Sequence, residues 1–125
     1  MPYPNDNVDI HERAFEFASN IVLFCDKLNQ TPGVNWALAN QLVRAGTSIG
    51  ANIEEAQAGQ SKADFIAKLA IALKESRESN YWLRLIARTR PALTEASEPL
   101  IQESSALMRI LAAILKSARD GEKGR

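Results

Sequence analysis

Two long stretches of heptad-spaced apolar residues, Leu38 to Ala56 and Phe65 to Ala87, lie on either side of a short link around Gly59 and Ser61. An amphipathic helix must bury its apolar stripe, and so short a link leaves the second helix only the path back along the first. The pattern predicts an antiparallel helical hairpin. Its first arm reads Leu38, Leu42, Ala45, Ile49, Ile53 and Ala56, with Asn35 as N-cap and Trp36 as an anchor at the start. Its second arm reads Phe65/Ile66, Leu69, Leu73, Ser76, Asn80, Leu83 and Ala87, from about Lys62 to Arg88, with Ser61 and Asp64 as a capping pair. Gly59 suits the position after the C-cap of the first arm.

Two features of the hairpin ask for a physical reason. Gly46 and Gly50 sit inside the first arm, where each costs about 1 kcal/mol relative to alanine. They suit either a close helix approach or a bend, with close packing the stronger expectation. In the second arm, Glu75, Ser76, Arg77, Glu78, Ser79 and Asn80 form a polar run on a segment that must partly face protein. Buried charge there needs a partner.

The remaining chain supplies two more helices. Asp9 is a good N-cap, with Glu12 three residues later, and Ile10, Ala14, Phe17, Ile21, Phe24 and Leu28 step by four and three. Phe15, Ala18, Val22 and Cys25 widen this stripe, as for a helix touching two neighbours. Asn29 to Gly33, which includes Pro32, stops it. Beyond Pro91, the run Ser97, Glu98 and Pro99 marks a restart, followed by Ile101, Ser104, Met108, Leu111, Leu115 and Ala118. The expected fold is an all-α, antiparallel up-down-up-down four-helix bundle over residues 9–118, with a flexible arm at 1–8 and a disordered tail at 119–125.

Composition narrows the function. At 125 residues and 46% apolar, this is one ordinary globular domain, and its apolar runs are too short to span a bilayer. The first residues, MPYPNDNVD, lack the basic and apolar segments of a secretory signal, and a single cysteine cannot form an internal disulfide, so a cytoplasmic location without membrane partners is expected. Cys25, between Val22 and Leu28, reads as a small buried apolar residue. Fifteen basic residues balance fifteen acidic ones, but unevenly. Residues 1–60 hold seven acids against three bases, a net of −4; residues 61–93 hold seven bases against three acids, a net of +4.

Candidate chemistry is sparse. Glu54, Glu55, Glu75 and Glu78 lie on the two hairpin arms, yet the Glu-x-x-His pairs of a two-metal bundle are missing and His11, the only histidine, lies far away, so no metal or other cofactor is expected. No nucleophile neighbours a base, and no glycine-rich phosphate loop occurs, so no catalytic residue is assigned. Arg44, Asn52, Glu54 and Glu78 are instead expected to form a structural polar network. Lys74, Arg77, Tyr81, Arg84 and Arg88 step by three and four along one helix face; cations around an aromatic ring suit phosphates and a stacked base, or equally a solvated face or the acids of a neighbouring subunit.

The run from Ser48 to Ile86 closely resembles the bacterial family of 23S ribosomal RNA intervening-sequence proteins. The resemblance rests on an S-I-x-A-N-I-x-E segment (Ser48 to Glu55), an S-x-x-D-F-I segment (Ser61 to Ile66) and A-L-K-E-x-R-E-x-x-Y-W-L (Ala72 to Leu83). Gly50 departs from it, since many relatives have proline there. The resemblance implies a homo-oligomeric bundle, with related members forming five-fold rings, and no established catalytic activity. It also implies a link to nucleic acid, because some members are encoded within inserts of ribosomal RNA genes and a distant relative is a basic accessory subunit of a reverse transcriptase. The neutral chain differs from that basic subunit. The leading expectation is therefore a non-enzymatic homo-oligomeric scaffold, a pentamer assembled through the second or third helix. The alternative is an accessory factor that binds RNA or a nucleoprotein through the third helix.

Overall fold

A computed structural model describes residues 9–59 and 61–123. It contains four helices and, among the described residues, no strand: α1 (Ile10–Gln30), α2 (Trp36–Gln57), α3 (Lys62–Thr89) and α4 (Thr94–Lys123). Consecutive helices pack along their lengths, and α1 closes the bundle against α4 over a sparser seam. The heptad seams form the core. Phe17, Ile21 and Leu28 of α1 meet Leu42, Ile49 and Ile53 of α2, Leu83 and Ile86 of α3, and Leu107, Leu111 and Leu115 of α4, all fully buried. No helix among the described residues is long and apolar enough to cross a membrane.

Local chemistry sets the helix ends. The Asp9 carboxylate accepts from the backbone N–H of His11 at 2.9 Å, and Ser61 Oγ accepts from that of Asp64 at 3.0 Å. Asn35 does something other than capping. Its side chain is buried and makes no cap bond; Nδ2 donates to the Thr31 carbonyl at 2.5 Å, and Oδ1 accepts from Arg90 Nε at 2.6 Å. Arg90 Nη2 also donates to the Val34 carbonyl at 3.4 Å, so the end of α3 is tied to the α1–α2 loop. Gly33 in that loop has φ +123°, a region open to glycine, and an added Cβ would lie 3.4 Å from the same guanidinium.

The fourth helix departs from expectation at both ends. A single 3₁₀ turn, Pro91–Leu93, leads into α4 at Thr94, so Pro99 lies inside the helix instead of at its start. The N–H that Pro99 lacks would have met the carbonyl of Glu95, an exposed residue that water reaches. Residues 119–123, expected to be a disordered tail, continue α4, with Lys116 and Asp120 paired at 3.0 Å one turn apart. The arm expected at 1–8, and residues 124 and 125, lie outside the described residues.

The two interior glycines of α2 have different reasons. A Cβ on Gly46 would meet Ile21 Cγ2 at 2.9 Å and Cβ at 3.2 Å, so the packing of α1 on α2 leaves no room for a side chain there. A Cβ on Gly50 would touch Ala14 Cβ at 3.5 Å, an ordinary contact. Gly46→Ala forces a fully buried β-branched side chain to move, and overpacking of about 1–3 kcal/mol exceeds a helix-propensity gain of about 1 kcal/mol. Chemical denaturation is expected to show Gly46→Ala destabilised and Gly50→Ala stabilised by about 0.5–1 kcal/mol. Equal effects of the two substitutions would contradict this assignment.

Candidate functional site

The polar run of α3 enters the bundle at positions set by the 3.6-residue repeat, and each buried group in it has a different solution. Ser76 and Ser79 are fully buried and donate to the carbonyls of Leu73 and Glu75 at 2.7 and 2.8 Å. Asn80 reaches across to α4, donating to Ser104 Oγ at 2.9 Å and Ser105 Oγ at 3.2 Å. Glu75 is 7% exposed on the side facing α2, and its Oε1 has no hydrogen-bond donor among the described residues. Arg44 of α2 lies over it. Its guanidinium pairs closely with Glu78 Oε1, stands 3.7 Å from Glu75 Oε1, and donates to Gln41 Oε1 at 3.1 Å. Trp82 Nε1 adds a 3.4 Å bond to the same oxygen of Glu78. One half-exposed cation thus serves two carboxylates, one of them buried.

Of the expected network, the structure brings Arg44 to Glu78 and leaves two members outside. Asn52 bonds back to the Ser48 carbonyl at 2.8 Å, and Glu54 is exposed at the far end of α2. There it lines, with Glu55, Asp64 and Lys68, an open notch of about 880 Å³ at the α2–α3 turn. Lys68 and Glu55 pair across that turn at 3.3 Å. Among the described residues no group of three His, Cys, Asp or Glu side chains converges as a metal site. Cys25 is buried and its thiol is 3.6 Å from the Ala39 carbonyl. Burial, and secondarily the charge of Asp26, raises its pKa from 9.0 to about 11, so the nucleophilic thiolate is scarce at neutral pH.

The five members of the basic stripe, Lys74, Arg77, Tyr81, Arg84 and Arg88, are all exposed on the face of α3 opposite the core. Arg84 is held in place. Its Nε donates to Asn80 Oδ1 at 2.8 Å, and its guanidinium lies 6.0 Å from the Tyr81 ring centre. Tyr81 in turn packs edge-on to Trp82, with ring centres 5.1 Å apart. Trp36, expected as an anchor, is 66% exposed, and so are Phe15 at 68% and Val34 at 70%.

A family model described as 23S rRNA-intervening sequence protein matches residues 6–113. The chain belongs to the 23S rRNA-intervening sequence protein family. A crystal structure of a protein with unknown function from the S23 ribosomal protein family of Bacteroides thetaiotaomicron is 42% identical, with a TM-score of 0.78 over 86% of this chain and 99% of that one. No match to a curated protein is found.

The stretches that carried the family resemblance converge in this structure. Ser48, Asn52 and Glu55 lie on the side of α2 that meets α3, as Glu75, Glu78 and Trp82 lie on the side of α3 that meets α2. The polar positions Ser48, Asn52, Glu55, Glu75 and Glu78 of the signature thus lie along one helix seam, while its Ile49, Ile53 and Leu83 fill the core and its Lys74, Arg77 and Tyr81 face outward. Two contacts that matter as much had no local signal: the bidentate Arg13–Glu103 pair, at 2.7 and 2.9 Å between α1 and α4, and the Arg90–Asn35 bond. Their partners are 90 and 55 residues apart in the chain.

Arg44→Met tests the seam. It leaves Glu75 buried without a cation and is expected to lower unfolding stability by about 1–3 kcal/mol, less than for a fully buried pair because Arg44 is 52% exposed. Adding Glu75→Gln removes the stranded charge and is expected to restore part of the loss. A single variant as stable as wild type would show that the seam contributes nothing.

Proposed function

We propose that this protein is a non-enzymatic subunit of a homo-oligomer, a pentamer, that acts as an assembly scaffold. The observation that carries the reading is a protomer with a closed core that still exposes Phe15, Leu23, Val34 and Trp36, each by more than 60%. Single exposed apolar residues are ordinary, but four aromatic or branched side chains on two adjacent helices and their loop favour a protein contact. The subunit number rests on the family resemblance. A buried, protonated Cys25 and carboxylates held by Arg44 support structural over catalytic roles for the reactive groups. Light scattering after size-exclusion chromatography at tens of micromolar is expected to give about five times the 13.8 kDa protomer mass. A strict monomer would refute the assembly.

A second reading, an RNA- or nucleoprotein-binding accessory factor, is supported by the exposure of the whole α3 stripe. A neutral chain has little long-range attraction for phosphate, so such a site needs the stripe repeated on several subunits. Its affinity would fall steeply with salt, because each neutralised phosphate of a single strand adds about 0.7 to the salt slope. On this reading, filter binding to single-stranded RNA near 50 mM salt is weak, sequence-tolerant and lost in Arg84→Glu/Arg88→Glu. Equal retention by both proteins removes α3 as the site.

A further inference from the structure

The exposed Phe15, Val22 and Trp36 of α1 and α2 lie on the opposite side of the protomer from the basic stripe, and the two surfaces differ in charge. On the outer side of the α1–α2 pair, Phe15 and Val22 lie one above the other on α1, Ala18 and Val43 are half-buried between the helices, and Trp36 projects from the start of α2. Gly46 lets α1 lie close to α2 behind this face. The charges that α1 and α2 place along it are acidic, Glu12 and Asp26 on α1 and Glu54 on α2, while Arg90, bonded to Asn35 and the Val34 carbonyl, stands at its Trp36 end. The three bases of α1 and α2 serve elsewhere. Arg13 is bound to Glu103 of α4, Arg44 to Glu78 of α3, and Lys27 lines the α1–α4 groove beside Ala96 and Leu100. Across the bundle, the α3 stripe offers four exposed cations around Tyr81.

We infer that the outer α1–α2 face of one copy receives the α3 stripe of a second copy, with Tyr81 over Val22, its flanking cations reaching Phe15 at one end of the face and Trp36 at the other, and the cations opposite Glu12, Asp26 and Glu54. The inference rests on the assembly reading above and names the two surfaces that make it. Lengths agree, since Lys74 to Arg88 and Glu12 to Asp26 are each fourteen residue steps, about 21 Å of helix. Chemistry agrees as well: guanidiniums stack on exposed aromatic rings and pair with carboxylates at the rim. Because the two surfaces are different patches, the contact is head-to-tail, and each added copy presents one free face of each kind. It also consumes the stripe, leaving it unavailable to RNA in the assembled state.

Complementation distinguishes this contact from others. A face variant, Phe15→Lys/Trp36→Lys, and a stripe variant, Arg77→Ser/Tyr81→Ser/Arg84→Ser, alter only exposed side chains, and circular dichroism melts check that both fold. Native mass spectrometry is expected to find each variant monomeric alone and a 1:1 heterodimer, with nothing larger, when they are mixed, because one intact face meets one intact stripe. A mixture that stays monomeric, or variants that keep the wild-type mass, overturns the pairing while wild-type assembly stands. A monomeric wild type overturns both. If wild-type oligomers bind single-stranded RNA and the stripe variant does not while keeping its mass, the stripe is a nucleic-acid surface and the pairing is wrong.

Discussion

The brevity of the connection between α2 and α3 sets the register on which the polar interior depends. With only four residues between Gln57 and Lys62, α3 must return antiparallel along α2. Lys68 then faces Glu55, and eleven residues back along α2 is matched by ten residues onward along α3, which brings Arg44 to Glu78 and Glu75. A shift of one residue in either helix would turn the side chains by about 100° and separate the charges. Glu75 would then be buried with no cation beside it, a state costly enough to reject the shifted packing. The ion pairs therefore act as a register check more than as a source of net stability, consistent with the half-exposed state of Arg44.

Polarity inside the bundle follows from that register. An apolar residue at each of Glu75, Ser76, Ser79 and Asn80 would bury more surface, but would let α3 slide against both neighbours. The two serines bond to their own helix and cost little, whereas Asn80 and Glu75 reach across, one to α4 and one to α2. Asn80 also orients Arg84 through its Oδ1, so the same residue that fixes α3 on α4 holds a member of the surface stripe. Interior order is thereby passed to an exposed guanidinium.

How much was legible in the chain depends on whether a feature is periodic or singular. The seams from Ala14 to Leu28, Leu42 to Ala56 and Leu69 to Leu83 repeat often enough to place the core directly. The basic stripe was legible for the same reason, and its exposure follows from lying opposite the seam. Single residues were harder. Trp36 and Phe15 look like core by type, but their helical angles carry them past the edge of the stripe, and only the packed neighbours show that nothing covers them. Asn35 looks like a cap and is a buried bridge because Arg90, 55 residues away, offers it a donor. Pro99 looks like a helix start, yet a restart at Thr94 leaves the Glu95 carbonyl to water and the helix survives. Glu54 fell outside the expected network because it lies one residue, about 100° of helix, from Glu55, which is the one that meets Lys68 of α3.

The neutral net charge hides a separation in space that matters more than the total. The first two helices and their arm carry −4 and the segment that includes α3 carries +4, and the bundle sets an acidic apolar face against a basic one. A dipolar particle of this kind attracts its own kind in one orientation and repels it in others, which favours ordered association over indiscriminate clustering. Lys27, Arg13 and Arg44 strengthen the separation by turning toward α4 and α3, which leaves the carboxylates of Glu12, Asp26 and Glu54 along the α1–α2 face and Arg90 at its Trp36 end. The ion pairs of Arg13 with Glu103 and Arg44 with Glu78 thus join helices inside the protomer and at the same time turn both arginines away from the outer α1–α2 face.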